Sequence, residues 1–217
     1  MIILYMIMEF LCGSLMFSYW IGRLVKKDLR QVGDGNPGAF NLWHAAGPGM
    51  GLLGVFLDFS KGYFPLVVLL SGGYAKGMAI VPVAIAPILG HAFSPFLKGR
   101  GGKGIAVSFG VWSAVTRFEV SFVYAVILAV FLVAAKFINR GKSPSTEANA
   151  FMVTAGMLTL GLYLFYRGFH PHIFALWIGN LLILAYKNSK KLYKFSKRFS
   201  KAVFEEYQQE DKESPGW

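Results

Sequence analysis

Residues 29–47 read LRQVGDGNPGAFNLWHAAG: four glycines, two asparagines, an aspartate, a proline and a histidine between two apolar runs. Those runs cover roughly 1–22 and 48–70, each close to the ~20 residues that cross a bilayer as a helix. A plain connector between two spans would be shorter and would not need so many hydrogen-bonding groups. The stretch therefore separates the first two membrane helices, and it is itself a candidate site.

Working outward, further apolar runs follow at roughly 78–97, 104–116, 119–136, 151–167 and 171–187. The fourth span is short for a ~30 Å hydrocarbon core, and the last two are split only by YRGFHPH. Composition agrees: 55% of the 217 residues are hydrophobic, 15% are charged and mean hydropathy is +0.49. A soluble domain carries nearer a quarter charged residues. The expected fold is all-α and polytopic, with about seven transmembrane helices forming one integral membrane domain, 1–187, and a basic tail, 188–217. The first run carries Glu9 but no basic residue before Arg23. It lacks a basic n-region and a small-residue cleavage site, so it is expected to be retained as a helix. The lone Cys12 makes no intrachain disulfide and leaves the redox compartment unread.

Charge sets the orientation. With the N-terminus outside, 18 of the 22 Lys and Arg residues face the cytoplasm. They are Arg23, Lys26, Lys27 and Arg30; Lys98, Arg100 and Lys103; Lys136, Arg140 and Lys142; and eight in the tail. Only Lys76, Arg117 and Arg167 fall outside, and Lys61 lies within a span. The positive-inside rule then gives N-out, C-in. The net charge of +11 is accounted for by cations facing anionic lipid, and no nucleic-acid partner is implied. Residues 139–149 (NRGKSPSTEAN) read as a flexible loop, with the next helix capped at Thr146. Residues 187–207 interleave cations with Leu192, Tyr193, Phe195, Phe199, Val203 and Phe204, a pattern for a helix lying along the inner leaflet.

Four polar groups are candidates for chemistry. In the opening stretch, Gly33, Gly35 and Gly38 bracket Asp34, Asn36 and Pro37, with Asn41 beyond. Such residues make either a tight capped turn or a nest of backbone amides that holds an anion. KGRGGKG at 98–104 sets Lys98, Arg100 and Lys103 among Gly99, Gly101, Gly102 and Gly104. It reads as a phosphate or carboxylate site or as an ordinary cationic flank. It is not a Walker A loop, because the lysine precedes Gly104 rather than Ser or Thr. Asp58 and Lys61, at i and i+3 within an apolar span, meet on one helix face, either as a site or as a helix-bracing ion pair. His91 opens the third-loop segment, and Asn188 either caps the last span or reaches the same cytoplasmic site. His170 and His172 show no metal-ligand spacing with acidic or cysteine partners.

Together these segments resemble the bacterial acyl-phosphate:glycerol-3-phosphate acyltransferases, seven-span enzymes with three cytoplasm-facing motifs. G13-S14-L15-M16 leading to D28-L29-R30-Q31-V32-G33-D34-G35-N36-P37-G38-A39-F40-N41 is similar to the first. Asp58, Lys61, Gly62 and Pro65 match the second, D-x-x-K-G-x-x-P. G90-H91-A92-F93 through G101-G102-K103-G104-I105-A106 is similar to the third. The resemblance covers residues 13–110 well, and beyond that agrees in span count and orientation.

It implies acyl transfer from acyl phosphate to glycerol 3-phosphate, giving lysophosphatidate for phospholipid synthesis. It also implies a bacterial inner-membrane location, an active site facing the cytoplasm, and neither a cofactor nor a metal. Lys103, Asp34, His44 and Asn188 stand at the implied catalytic positions. The implied phosphate-binding positions are Gly33, Gly35, Asn36, Gly38, Asn41, Asp58, Lys61, His91, Lys98, Arg100, Gly101, Gly102 and Gly104. No His-x4-Asp pair, GxSxG elbow or Cys–His pair occurs, so no covalent acyl-enzyme is expected. Acyl phosphate is already activated, and catalysis can rest on positioning and charge stabilisation.

Several positions depart from the family pattern. Asp34 stands for its serine, His44 for its arginine, Phe40 for its threonine and Met16 for its proline. In the tail, Ala185 stands for a histidine and the late glutamate falls near Lys197. Four alternatives follow: an active enzyme in which Asp34 orients or deprotonates the glycerol hydroxyl, an acyltransferase for another polyol or phosphate acceptor, a catalytically silent paralogue, or a small-solute or phosphate transporter. The paired discontinuous spans of an inverted-repeat transporter are not evident.

Overall fold

The computed structural model describes residues 1–213 and is helical throughout, with no strand among the described residues. The helices are α1 (Ile2–Ser14), α2 (Phe17–Leu24), α3 (Ala39–Ala46), α4 (Pro48–Ser71), α5 (Ile80–Ala92), α6 (Ile105–Thr116), α7 (Glu119–Ile138), α8 (Thr146–Tyr166) and α9 (Pro171–Glu213). Ile2–Leu24, Pro48–Ser71, Gly77–Leu97, Glu119–Ile138 and Thr146–Tyr166 are long and apolar enough to cross a bilayer. The exposed Phe56, Phe122, Val133, Leu162 and Phe165 on these segments suit a lipid-facing surface.

Four details differ from the sequence reading. The first span is broken into α1 and α2 at Leu15 and Met16, although no proline stands there. The carbonyls freed by the break find side-chain donors instead. Ser94 Oγ donates to Ser14 O at 2.7 Å, and Lys61 Nζ donates to Leu15 O. Second, α8 starts at Thr146 because Ser145, not Thr146, is the cap: its hydroxyl accepts from Ala148 N at 3.1 Å. Third, α9 does not stop near 187. It runs for 43 residues, about 64 Å at 1.5 Å per residue, so the last span and the basic tail as far as Glu213 are one helix. Fourth, with helix on both sides, Asn188 is not a cap. The side chains of Val203 and of the residues beyond Phe204, with all of 214–217, lie outside the described residues.

The helices pack through small residues, as membrane bundles do when no hydrophobic gain separates helix from lipid. A Cβ at Gly13 would lie 2.1 Å from Pro87 O, and one at Gly90 would lie 2.1 Å from Phe10 O. That pair lets α1 and α5 touch backbone to backbone. Gly62 and Gly110 do the same for α4 and α6, against Val107 O (2.6 Å) and Phe59 O (2.2 Å). Helix α6 is tied to α9 by polar links, Trp112 Nε1 to Asn180 Oδ1 (3.0 Å) and Asn180 Nδ2 to Ser108 Oγ (2.9 Å). All three side chains are buried, so each donor and acceptor is satisfied where water cannot serve. This packing carries the first-loop segment, the third-loop segment and the middle of α9 to one end of the bundle.

Candidate active site

The loop between α2 and α3 is organised by short polar side chains. Asp28 accepts from Arg30 N at 3.1 Å and starts a single 3-10 turn over Leu29–Gln31. The chain then reverses through Gly33 (φ 55°) and Gly35 (φ 72°), left-handed positions that glycine occupies without steric cost. From α3, Asn41 Nδ2 points at three acceptors: Val32 O (2.7 Å), Asn36 O (2.9 Å) and Asp34 Oδ1 (3.0 Å). Three acceptors around one atom fix it as the amide nitrogen. Asn36 N also donates to Asp34 Oδ1, at 3.1 Å. Asn41 therefore holds the loop's shape and aims Asp34.

The third-loop segment is folded onto the end of α5. Gly102 N donates to His91 O at 3.0 Å. A Cβ on Gly101 would lie 2.0 Å from His91 O, and one on Gly102 would lie 2.1 Å from His91 Nε2. The glycine pair is thus required by close approach, which an ordinary cationic flank would not explain. Lys187, from α9, clamps the same backbone by donating to Ala92 O (2.8 Å) and Gly101 O (3.0 Å). Lys98 and Arg100 remain exposed, whereas Lys103 turns inward.

Asp58 and Lys61 form the buried brace beneath. Lys61 Nζ sits 2.8 Å from Asp58 Oδ1, and Ser18 Oγ donates to Asp58 Oδ2 at 2.8 Å. His91 Nδ1 lies 3.9 Å from Asp58 Oδ1. One carboxylate therefore joins α2, α4 and α5, and Lys61 extends the link to the α1–α2 break. The pair is nearly inaccessible, 2% exposed on each side chain, and holds the framework on which His91 and the glycine loop rest.

Above it, three elements converge on one carboxylate. Asp34 Oδ2 lies 2.8 Å from Lys103 Nζ and accepts a hydrogen bond from Lys191 Nζ of α9. Burial by itself would raise the Asp34 pKa. The hydrogen bonds from Lys103 and Lys191, the Lys103 charge and the Asn36 amide outweigh it and hold the carboxyl well below the usual range. Burial lowers the Lys103 pKa, against the opposing pull of Asp34, and the neighbouring Lys191 adds to the lowering. Both lysines are about one-fifth exposed (18% and 20%) and Asp34 is 7% exposed. The ammonium groups are thus more accessible than the carboxylate they share.

Asn188, expected either to cap the last span or to reach the cytoplasmic site, lies within α9, one turn before Lys191. It is buried, and its Nδ2 donates back to Leu184 O at 3.0 Å, leaving Oδ1 without a protein partner. His44 is not drawn into the cluster: it is exposed on α3 and packs edge-on against Phe40, 4.6 Å between centroids. Lys191, Lys187 and Ser18 are the residues that sequence reasoning missed. Lys191 lies three residues after Asn188 and so shares its helix face, the one signal that would have separated it from the tail's other cations.

The sequence profile of the glycerol-3-phosphate acyltransferase family matches residues 3–195. The chain belongs to that family. Glycerol-3-phosphate acyltransferase 1 of Thermotoga maritima is 38% identical over 194 residues, covering 87% of this chain and 95% of the relative. The Aquifex aeolicus glycerol-3-phosphate acyltransferase is 31% identical over 185 residues, covering 84% and 90%. The fold is similar to the crystal structure of PlsY, an integral membrane glycerol 3-phosphate acyltransferase, in its glycerol 3-phosphate form. That match has TM-score 0.78 at 25% identity and covers 90% of this chain and 92% of the other. Its lysophosphatidic acid form matches with TM-score 0.76. Within the glycerol-3-phosphate acyltransferase family, then, this member joins its first-loop and third-loop segments through an Asp34–Lys103 ion pair.

Proposed function

We propose that this membrane acyltransferase transfers an acyl group from acyl phosphate to glycerol 3-phosphate, forming lysophosphatidate and inorganic phosphate. One observation carries the assignment to these residues. Lys103, from the third motif, is half-buried and faces the first-motif loop, within a cluster whose other members are Asp34 and Lys191. Both substrates bear phosphate, and two converging ammonium groups are strong, charge-assisted donors to phosphate oxygens.

The acceptor hydroxyl attacks the acyl carbonyl carbon, a new ester C–O bond forms, and the carbonyl-carbon bond to the phosphate oxygen breaks. The electron pair leaves on phosphate, and the hydroxyl proton departs with that product. Lys103 holds glycerol 3-phosphate by its phosphate so that the hydroxyl faces the acyl carbonyl, and no side-chain nucleophile is needed. Asp34 orients rather than deprotonates. Its carboxylate already receives two neutral donors and two ammonium groups, and a carboxyl held below its usual pKa is a weak base.

The same reading sets the chain in a bacterial inner membrane with seven passes, the N-terminus outside and the site toward the cytoplasm. Five long apolar segments, the shorter α6 and the apolar first half of α9 supply seven elements, and the cation distribution supports the orientation. Acyl phosphate reaches the site from the inner leaflet, with its chain between helices. The test supplies purified protein with acyl phosphate and radiolabelled glycerol 3-phosphate and looks for lysophosphatidate. Formation that disappears in Lys103→Ala supports the assignment. Absence of product from folded wild-type protein at every acyl-chain length rejects it.

A further inference from the structure

We propose that Lys191 is the second phosphate-binding cation of this enzyme, supplied by α9, and that Asp34 is the positioning residue that holds it beside Lys103. The proposal deepens the acyltransferase reading and rests on it.

His44, on α3, is exposed and packed on Phe40. The cation that does reach the cluster comes from 157 residues further along the chain than Asp34: Lys191 Nζ donates to Asp34 Oδ2, the same oxygen that pairs with Lys103. Lys98 and Arg100 belong to the third loop yet stay in solvent. Lys187 spends donors on the carbonyls of Ala92 and Gly101. Lys103 and Lys191 are the cations seated on Asp34.

The carboxylate accounts for the arrangement. Two ammonium groups brought to one partly buried spot repel each other, and a shared anion removes that repulsion. Asp34 is suited to this because its other oxygen is fixed by Asn36 N and Asn41 Nδ2, so the loop dictates where Oδ2 sits. An ammonium group carries three donors. Each lysine gives one to Asp34 and keeps two for phosphate oxygens. Serine at position 34 could not hold two cations together in this way. Asp34 and Lys191 thus act as a unit.

A rival explanation is that Lys191 only neutralises a buried Asp34. A double-substitution comparison separates the two. The full chain is purified as wild type, Lys191→Met, Lys191→Arg, Asp34→Ser and the Asp34→Ser/Lys191→Met pair, with kcat and KM for glycerol 3-phosphate measured for each. If Lys191 holds phosphate, Lys191→Met raises KM about tenfold to a hundredfold, the worth of one charge-assisted hydrogen bond. Lys191→Arg then recovers most of the loss, and the double variant stays as impaired as Lys191→Met. Recovery of a wild-type KM in the double variant overturns the proposal, as does a wild-type KM in Lys191→Met. Glycerol 3-phosphate binding, read as a shift in thermal unfolding of the same variants, keeps the two claims apart. If wild type forms no lysophosphatidate yet is stabilised by glycerol 3-phosphate, and Lys191→Met is not, the reaction assignment fails and the Lys191 site stands. If wild type is not stabilised either, the Lys191 site fails too. The unfolding midpoint without ligand identifies any variant whose loss is merely misfolding.

Discussion

Removing the Asp58 carboxylate is the sharpest test of the buried brace. In Asp58→Ala, Lys61 keeps the Leu15 carbonyl but loses its only counter-ion at 2.8 Å, in a place where both side chains are 2% exposed. Leaving one partner of a buried pair uncompensated costs about 3–5 kcal/mol. Ser18 Oγ loses its 2.8 Å acceptor as well, a further loss of about 1–3 kcal/mol if nothing replaces it. The two losses share one group and are not simply additive, so the expectation is about 3–5 kcal/mol or somewhat more. Against a total stability of about 5–15 kcal/mol that is severe. For a chain of this size it lowers the unfolding midpoint by roughly 6–20 °C. The assay is thermal unfolding in a fixed detergent or nanodisc, comparing wild type, Asp58→Ala, Asp58→Asn and Asp58→Leu/Lys61→Met. Asp58→Asn keeps an acceptor for Ser18 and loses less. The double variant buries no unpaired charge and recovers part of the midpoint. A midpoint for Asp58→Ala within about 2 °C of wild type, or a double variant no better than the single, would refute the argument that this carboxylate holds the helices together.

Further outcomes follow from the loops. Gly102→Ala places a methyl 2.1 Å from His91 Nε2 and displaces the Lys103 loop; a shift near 1 Å costs roughly a hundredfold in rate, read as kcat/KM with a near-normal unfolding midpoint. Because the Lys103 pKa is lowered, its charge is lost as pH rises before an ordinary lysine would lose its own, so kcat/KM declines on the alkaline side below pH ~10.4. Asp34 raises that pKa, and Asp34→Ser should move the alkaline limb to lower pH; an unmoved limb would mean the limb belongs to another group. On the acid side the sign is opposite. The Asp34 pKa is depressed on folding, so its stabilising contribution is complete above the unfolded carboxylate value near 3.8 and fades only as pH falls toward the folded value. Acid unfolding of Asp34→Asn should lack that component. Asn180→Leu strands Trp112 Nε1 and Ser108 Oγ and should lower the unfolding midpoint by several degrees.

The long helices were legible because bilayer thickness imposes a length of apolar sequence, and α4, α5, α7 and α8 read that way. The α1–α2 break was not read, because its one local mark, Gly13-Ser14, is a weak kink signal inside an apolar run; the break is held by Ser94 and Lys61, far away in sequence. The extent of α9 was hidden for a different reason. Hydropathy falls near 187 whereas helix propensity does not, so the apolar pattern stops before the helix does. In the site, Gly101, Gly102 and Lys103 were readable from the density of glycine around cations. Asp34 was visible as a departure from a pattern, but its use was not: a carboxylate near phosphate looks repulsive until both lysines are seen on it. Lys191 was counted with the tail's cations: its spacing from Asn188 was readable, but its pairing with residue 34 is a fact of the tertiary fold alone.

The proposed reaction depends on Lys103 meeting a phosphate-bearing substrate. The direct measurement is lysophosphatidate formation by purified wild-type and Lys103→Ala protein, given acyl phosphate and radiolabelled glycerol 3-phosphate under the same conditions. The expected result is turnover by wild type and its loss in Lys103→Ala, with both proteins folded to the same midpoint. Turnover in Lys103→Ala close to that of wild type would contradict the account.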